Sequence, residues 1–195
     1  MSQPLHRTMF DTPLVSTVLR TIARLVLRLK GWTYVGELPA GTTRCVMIAA
    51  PHTSNWDLPY TLMIAFALRV NIYWMGKESI FRAPFGGVMR WMGGIPVDRA
   101  RAGDVVAASI EALRNAPSLV LVVAPQGSRS HVPYWKTGFY RIAHGASVPI
   151  MMGYLDFAKK EGGIARMFET SGDMDRDMQE IQNFYATVTG CKQNQ

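Results

Sequence analysis

The sequence predicts an α/β fold: a mostly parallel central sheet flanked by helices, preceded by an amphipathic helix. Three observations predict it. The short apolar runs at residues 45–49 and 119–123 lack polar alternation, as expected of strands covered on both faces. Segments with helical periodicity stand between the strand candidates. Strands that alternate with helices return to the sheet in the same direction, which builds a parallel sandwich.

Along the chain, Leu14, Val15, Val18, Leu19, Ile22, Leu25, Val26 and Leu29 recur at helical spacing, while Arg20, Thr21, Arg24 and Arg28 fall largely on another side. Such a helix either packs on a core with its basic face in solvent or lies in a lipid interface, and the two are compatible. A short strand is expected at 33–35, then a turn at Pro39-Ala40-Gly41. The strand at 45–49 stops at Pro51-His52. A helix at 57–69 and a strand at 71–75 follow. The segment 80–92 reads as a helix interrupted by Pro84 and Gly86-Gly87. Residues 103–115 form a helix, 119–123 the clearest buried strand, 137–146 a helix, 148–155 a strand and 173–188 a last helix. No repeat, low-complexity tract or interdomain linker is visible. The expected division is an N-terminal amphipathic helix suited to a membrane surface, 1–32, and one domain, 33–195.

A formal net charge of +7, from 21 basic against 14 acidic residues, favours an anionic partner such as phospholipid, an acidic carrier protein or nucleic acid. The basic residues are dispersed and no nucleic-acid-binding motif is present, so nucleic acid is not expected. Cys45 lies in an apolar run and Cys191 in a polar tail, neither at metal-ligand spacing, as free thiols of a reducing compartment would. Three arginines interrupt the stretch 14–29, which is too short and too mixed to span a bilayer, and it lacks the cleavage pattern of a secretory signal. The expected location is cytoplasmic, peripheral to the inner face of the cell membrane.

Ligands of parallel sheets gather where strands end and helices begin. Pro51-His52-Thr53-Ser54-Asn55-Trp56-Asp57 occupies such a place. A neutral His52 imidazole accepts a hydroxyl proton near neutral pH, and Asp57, five residues on, can fold back to fix its tautomer. Spacing alone equally allows a helix-capping His52 with Asp57 in the first helical turn. A second cluster is Gly76-Lys77-Glu78-Ser79-Ile80-Phe81-Arg82, followed by Gly93-Gly94-Ile95-Pro96-Val97-Asp98-Arg99. Here Arg82 and Arg99 offer forked donors for a phosphate, and solvated turn residues are the alternative. It is not a nucleotide P-loop. A third cluster, Ala124-Pro125-Gln126-Gly127-Ser128-Arg129-Ser130, directly follows a strand and suits an anion held by backbone N–H groups and a guanidinium. The nucleophile-elbow pattern is absent, so a serine nucleophile is not expected.

Taken in order, these clusters resemble the glycerolipid acyltransferase family that includes 1-acylglycerol-3-phosphate acyltransferases. The family's His-x-x-x-x-Asp motif matches His52 and Asp57. Its Gly-x-Ile-x-x-Asp-Arg type segment matches Gly93 to Arg99, preceded by Gly76-Lys77 and Phe81-Arg82. Its Pro-Glu-Gly-Thr-Arg-Ser motif corresponds to Pro125 through Ser130, and its apolar fourth motif to Val148-Pro149-Ile150. Gln126 stands where the family usually has Glu, Ser128 where it has Thr, and Met152-Gly153 where the fourth motif usually ends in Pro-Val.

The resemblance implies an enzyme that moves a fatty acyl group from acyl-CoA or acyl-carrier protein to the hydroxyl of a lysophospholipid or glycerol-phosphate-type acceptor. His52 and Asp57 would be catalytic. Asn55, Lys77, Arg82, Arg99, Gln126, Gly127, Ser128 and Arg129 would bind substrate, with Gly127 amides as oxyanion donors. No bound cofactor and no metal is expected. Trp56, Phe81, Phe85 and Trp91 either guide acyl chains or belong to the core. A catalytically weak lipid-binding relative, motivated by Gln126, and a thioester hydrolase are the alternatives. The oligomeric state is left open.

Overall fold

A computed structural model describes residues 6–127 and 134–191 of the chain, Arg99 through its backbone alone. Seven strands form one sheet in the order β1-β7-β6-β2-β5-β3-β4. They are β1 (Thr33–Val35), β2 (Arg44–Ala50), β3 (Ile72–Lys77), β4 (Gly94–Val97), β5 (Leu119–Val123), β6 (Ile150–Asp156) and β7 (Glu161–Phe168). Every neighbouring pair is parallel except β6 and β7, which run antiparallel. The helices are α1 (Pro13–Leu29), α2 (Asp57–Leu68), α3 (Gly86–Trp91), α4 (Ala102–Asn115), α5 (Gly138–Ala146) and α6 (Met174–Tyr185).

Side chains alternate across each strand, so the continuous apolar runs feed two cores at once. Val46, Ile48, Leu119, Leu121, Ile150 and Met152 point to the side covered by α4, α5 and α6, around a fully buried Phe139. Cys45, Met47, Val120, Val122 and Ile72 point to the side covered by α1 and α2, with Ala65 and Phe66. Burial pushes the Cys45 thiol up to about 12, so it stays protonated and inert.

The expected elements are present, with three differences. Residues 80–92 divide into a 3-10 turn, Glu78–Phe81, and the short α3, with Pro84 between them. Gly76 and Lys77 close strand β3 instead of forming a turn. Two strands went unrecognised, β4 and β7, both rich in residues that ordinarily mark loops.

α1 carries its polarity in an unexpected direction. Arg20 Nε donates to the Phe66 carbonyl at 3.3 Å and Arg24 Nη2 to that of Ala67 at 3.1 Å, satisfying the open C-terminus of α2 with positive charge. Ala23 and Leu27 are buried beneath the helix. Leu14, Val18, Ile22, Leu25 and Leu29 are exposed instead, spaced as one continuous helical face. The basic face expected in solvent is exposed at Arg24 and Arg28 and half-buried at Arg20, with Arg20 and Arg24 also bonded to the end of α2.

Candidate active site

Because β2, β5, β3 and β4 are parallel neighbours, their C-terminal ends share one edge of the sheet. The sequences that leave those ends are the loop of His52, the turn of Gln126 and Gly127, Lys77 with Arg82, and Asp98-Arg99. Chain direction alone therefore gathers the first three motif clusters. Val148-Pro149-Ile150 lies at the opposite edge, where the Pro149 carbonyl accepts the Val46 N–H at 3.1 Å. That segment holds the sheet together.

His52 Nδ1 lies 3.0 Å from Asp57 Oδ2. A carboxylate only accepts, so Nδ1 carries the hydrogen, and in the neutral ring Nε2 is the nitrogen with the free lone pair. The same oxygen takes the backbone N–H of Thr53 at 2.7 Å and of Ser54 at 2.8 Å. Asp57 opens α2 and is buried, so one carboxylate closes the loop on itself, starts the helix and orients the imidazole. Its other oxygen, Oδ1, is buried with no hydrogen-bond partner among the described residues. The His52 side chain is about a third exposed (31%), which leaves it reachable from solvent.

Gln126 reaches across from the end of β5 and accepts the His52 backbone N–H at 2.5 Å through Oε1. The turn beneath it is closed by the Gly127 N–H donating to the Ala124 carbonyl at 3.1 Å. Gly127 has a φ of +65°, a conformation that suits glycine, and a Cβ there would press on the Lys136 side chain.

A cavity of about 1380 Å³ opens beside His52, Ser54, Asn55 and Asp57. On one side it runs under α2 past Leu58, Ala65 and Leu68 to Val70 and Ile72. The distance from Asp57 to Leu68 along the helix is about 16 Å at the usual rise per residue. On the other side Lys77, Gly127, Lys136 and Arg141 line it. Lys77 and Arg82 also line a smaller recess of about 250 Å³, together with Asp98.

Of the residues expected to bind substrate, Asn55, Lys77 and Gly127 line the main cavity and Arg82 the recess. Gln126 touches the His52 backbone. The Arg99 side chain, Ser128 and Arg129 lie outside the described residues. Lys136 and Arg141 were missed. Their signal was present in the sequence: two cations at the start of the helix that follows the third motif. Trp56, Phe85 and Trp91 are exposed, whereas Phe81 belongs to the core. Among the described residues no three His, Cys, Asp or Glu side chains cluster as a metal site requires.

Residues 33–152 match the model of a protein family described as Acyltransferase. The chain belongs to that family. The match covers more than half of the chain and includes His52, Asp57 and the three clusters around them. Among solved structures, the 1-acyl-sn-glycerophosphate (LPA) acyltransferase PlsC from Thermotoga maritima is similar, with a TM-score of 0.56 and 15% sequence identity over 88% of this chain and 78% of that one. At that identity the likeness is one of fold, and it confirms the helix-flanked, mostly parallel sheet. No curated protein sequence matches the chain detectably. The resemblance drawn from the four motifs is therefore correct at the level of the family: this is a member of the Acyltransferase family.

Proposed function

We propose that this acyltransferase moves a fatty acyl group from acyl-CoA or acyl-carrier protein to the hydroxyl of a lysophospholipid or glycerol-phosphate-type acceptor, working at a membrane surface. The observation that carries this reading is the His52–Asp57 pair in the wall of a large, mostly apolar cavity. In the reaction, His52 Nε2 takes the proton from the acceptor hydroxyl as its oxygen attacks the thioester carbonyl. Asp57 stabilises the imidazolium. Collapse of the tetrahedral intermediate breaks the carbon–sulfur bond, and His52 returns its proton to the departing thiolate. Lys77, Arg82, Arg99 and Arg129 hold the acidic head group, and the apolar stretch under α2 accommodates an acyl chain.

Gln126 is the departure that raised doubt about turnover. The hydrogen bond it makes needs only a side-chain oxygen, which Gln supplies as well as Glu. This favours an active enzyme over a lipid-binding relative. The test is an acyl-transfer assay of the wild-type and Gln126→Glu proteins, with both donor types against a panel of lysophospholipids and glycerol phosphate, read by mass spectrometry. Acylated acceptor from both proteins is the expected result. Free fatty acid without acylated acceptor means a hydrolase, and product from Gln126→Glu alone means that the third motif has disabled this chain.

The membrane part of the proposal rests on α1. No described helix is long and apolar enough to cross a bilayer, yet five large aliphatic side chains of α1 face outward, and its exposed Arg28 suits an anionic surface. Ile22→Glu puts a charge in the middle of that face and leaves the buried side untouched. Its binding to anionic phospholipid vesicles, measured by co-sedimentation, should fall about tenfold or more, since burying one such side chain is worth about 1.5–3 kcal/mol. Unchanged vesicle binding removes α1 as the docking element.

A further inference from the structure

The chain beyond α6 returns to the catalytic loop. α6 is a firm anchor for it: the buried Asp177 carboxylate accepts from Tyr140 Oη at 2.9 Å and from the Ser171 N–H and Oγ at 2.7 Å each. Burial alone would raise the carboxyl of Asp177, but the bonds from Ser171 and Tyr140 together with Arg176 outweigh it and hold the group below its usual range. At the end of α6, Tyr185 Oη donates to the Gly153 carbonyl at 2.8 Å. Past the helix, the Thr189 carbonyl accepts the Phe157 N–H at 2.9 Å, which pins the segment to the β6–β7 turn. Gly190 then lies against the loop that carries His52. A Cβ at Gly190 would stand 2.7 Å from Thr53 Cγ2, 2.8 Å from Thr53 Oγ1 and 3.2 Å from Pro51 Cγ.

Those two residues flank His52 in the sequence, and Thr53 is buried with its N–H committed to Asp57 Oδ2. We propose that residues 186–191 are a strap that positions the His52–Asp57 pair, with Gly190 as the residue through which it bears on the loop. The loop between β2 and α2 has no ladder of its own. Asp57 closes it from within and Gln126 holds the His52 N–H, while the strap bears on it at Thr53 and Pro51. A Cβ at 190 takes the space of the Thr53 methyl, so Thr53 or the strap must shift to admit it. A shift of Thr53 moves a donor off Asp57 Oδ2, and with it the partner of His52 Nδ1. Gly190 is thus a positioning residue, reaching the reaction through Thr53 and Asp57.

The inference rests on acyl transfer as the reaction, so two readouts are needed. Gly190→Ala and a chain ending at Thr189 are compared with the wild type. The shortened chain loses no core residue among the described ones, which keeps the test valid should Gly190→Ala fold poorly. Both variants should lose about 10- to 100-fold in kcat, the scale of a small misplacement of reacting groups. KM for donor and acceptor should stay within about twofold, which loss of a substrate contact would not leave intact. The second readout is the proton NMR signal of the His52 Nδ1–H shared with Asp57, assigned through its absence in His52→Ala. It should shift or broaden in both variants. Wild-type kcat in either folded variant, a rise in KM without a fall in kcat, or an unchanged His52 signal overturns the strap. If the wild type acylates no acceptor in the panel, the functional reading fails, and the NMR signal alone then decides the strap.

Discussion

His52→Ala is expected to lower kcat/KM for acyl transfer by about 10²–10⁴-fold while the protein keeps its folded state. The size of the loss follows from the role of the imidazole: without it, no base held by Asp57 stands ready to take the acceptor proton. The retained fold follows from its setting. The His52 side chain is a third exposed, so little packing is lost, and Asp57 keeps its bonds from the Thr53 and Ser54 N–H groups. The backbone N–H of residue 52 still reaches Gln126. Steady-state rates and thermal unfolding, measured together, check both halves. A variant with near wild-type rates would sink the general-base mechanism.

Asp57→Asn should cost almost as much, about 10²–10⁴-fold in kcat, and for a reason that separates charge from geometry. Three contacts converge on Oδ2 alone, while Oδ1 has no partner among the described residues. An asparagine can place its carbonyl oxygen at the Oδ2 position and accept the same three donors. What it cannot supply is the negative charge that stabilises imidazolium. Its amide group would occupy the unpartnered Oδ1 position, where burying an amide without a partner costs about 1–3 kcal/mol. The expected profile is a large fall in kcat, small changes in KM and a modest loss of melting temperature. Asp57→Ala should lose stability more severely, because the Thr53 and Ser54 N–H groups are then left buried without their acceptor. Full activity in Asp57→Asn would mean that the carboxylate only shapes the loop.

Much of this was legible in the sequence because the strongest signals and the topology agree. The buried runs at β2 and β5 have no polar residue to suggest a surface, and each ends in a loop whose residues can do chemistry. Once the two are read as parallel neighbours, His52 and Gln126 must meet. What escaped notice was written in glycine and proline. β4 is four residues long and contains Gly94 and Pro96, a composition that reads as a loop. In β7, Gly162 and Gly163 look like a turn, yet they are glycines because of crowding. A Cβ at Gly163 would overlap the Val35 carbonyl of the paired strand, and one at Gly162 would strike Ile64 of α2. The sense of α1 was equally hidden. Helical periodicity locates an apolar face and a basic face, but it does not reveal that the C-terminal carbonyls of α2 would claim the arginines.

The lengths of the outermost strands bear on how copies of the protein meet. β1 has three residues and β4 four, one of them Pro96, which lacks an N–H. Margins this brief offer little backbone of their own for a stranger to pair with, although β7 continues past β1 from Ile164 to Phe168. Among the described residues the outward aliphatic row of α1 is an exposed apolar surface of a different kind, a helical one. A contact made through that row would join helix to helix, which lipid or detergent can displace, where a contact through a strand edge would not be displaced so.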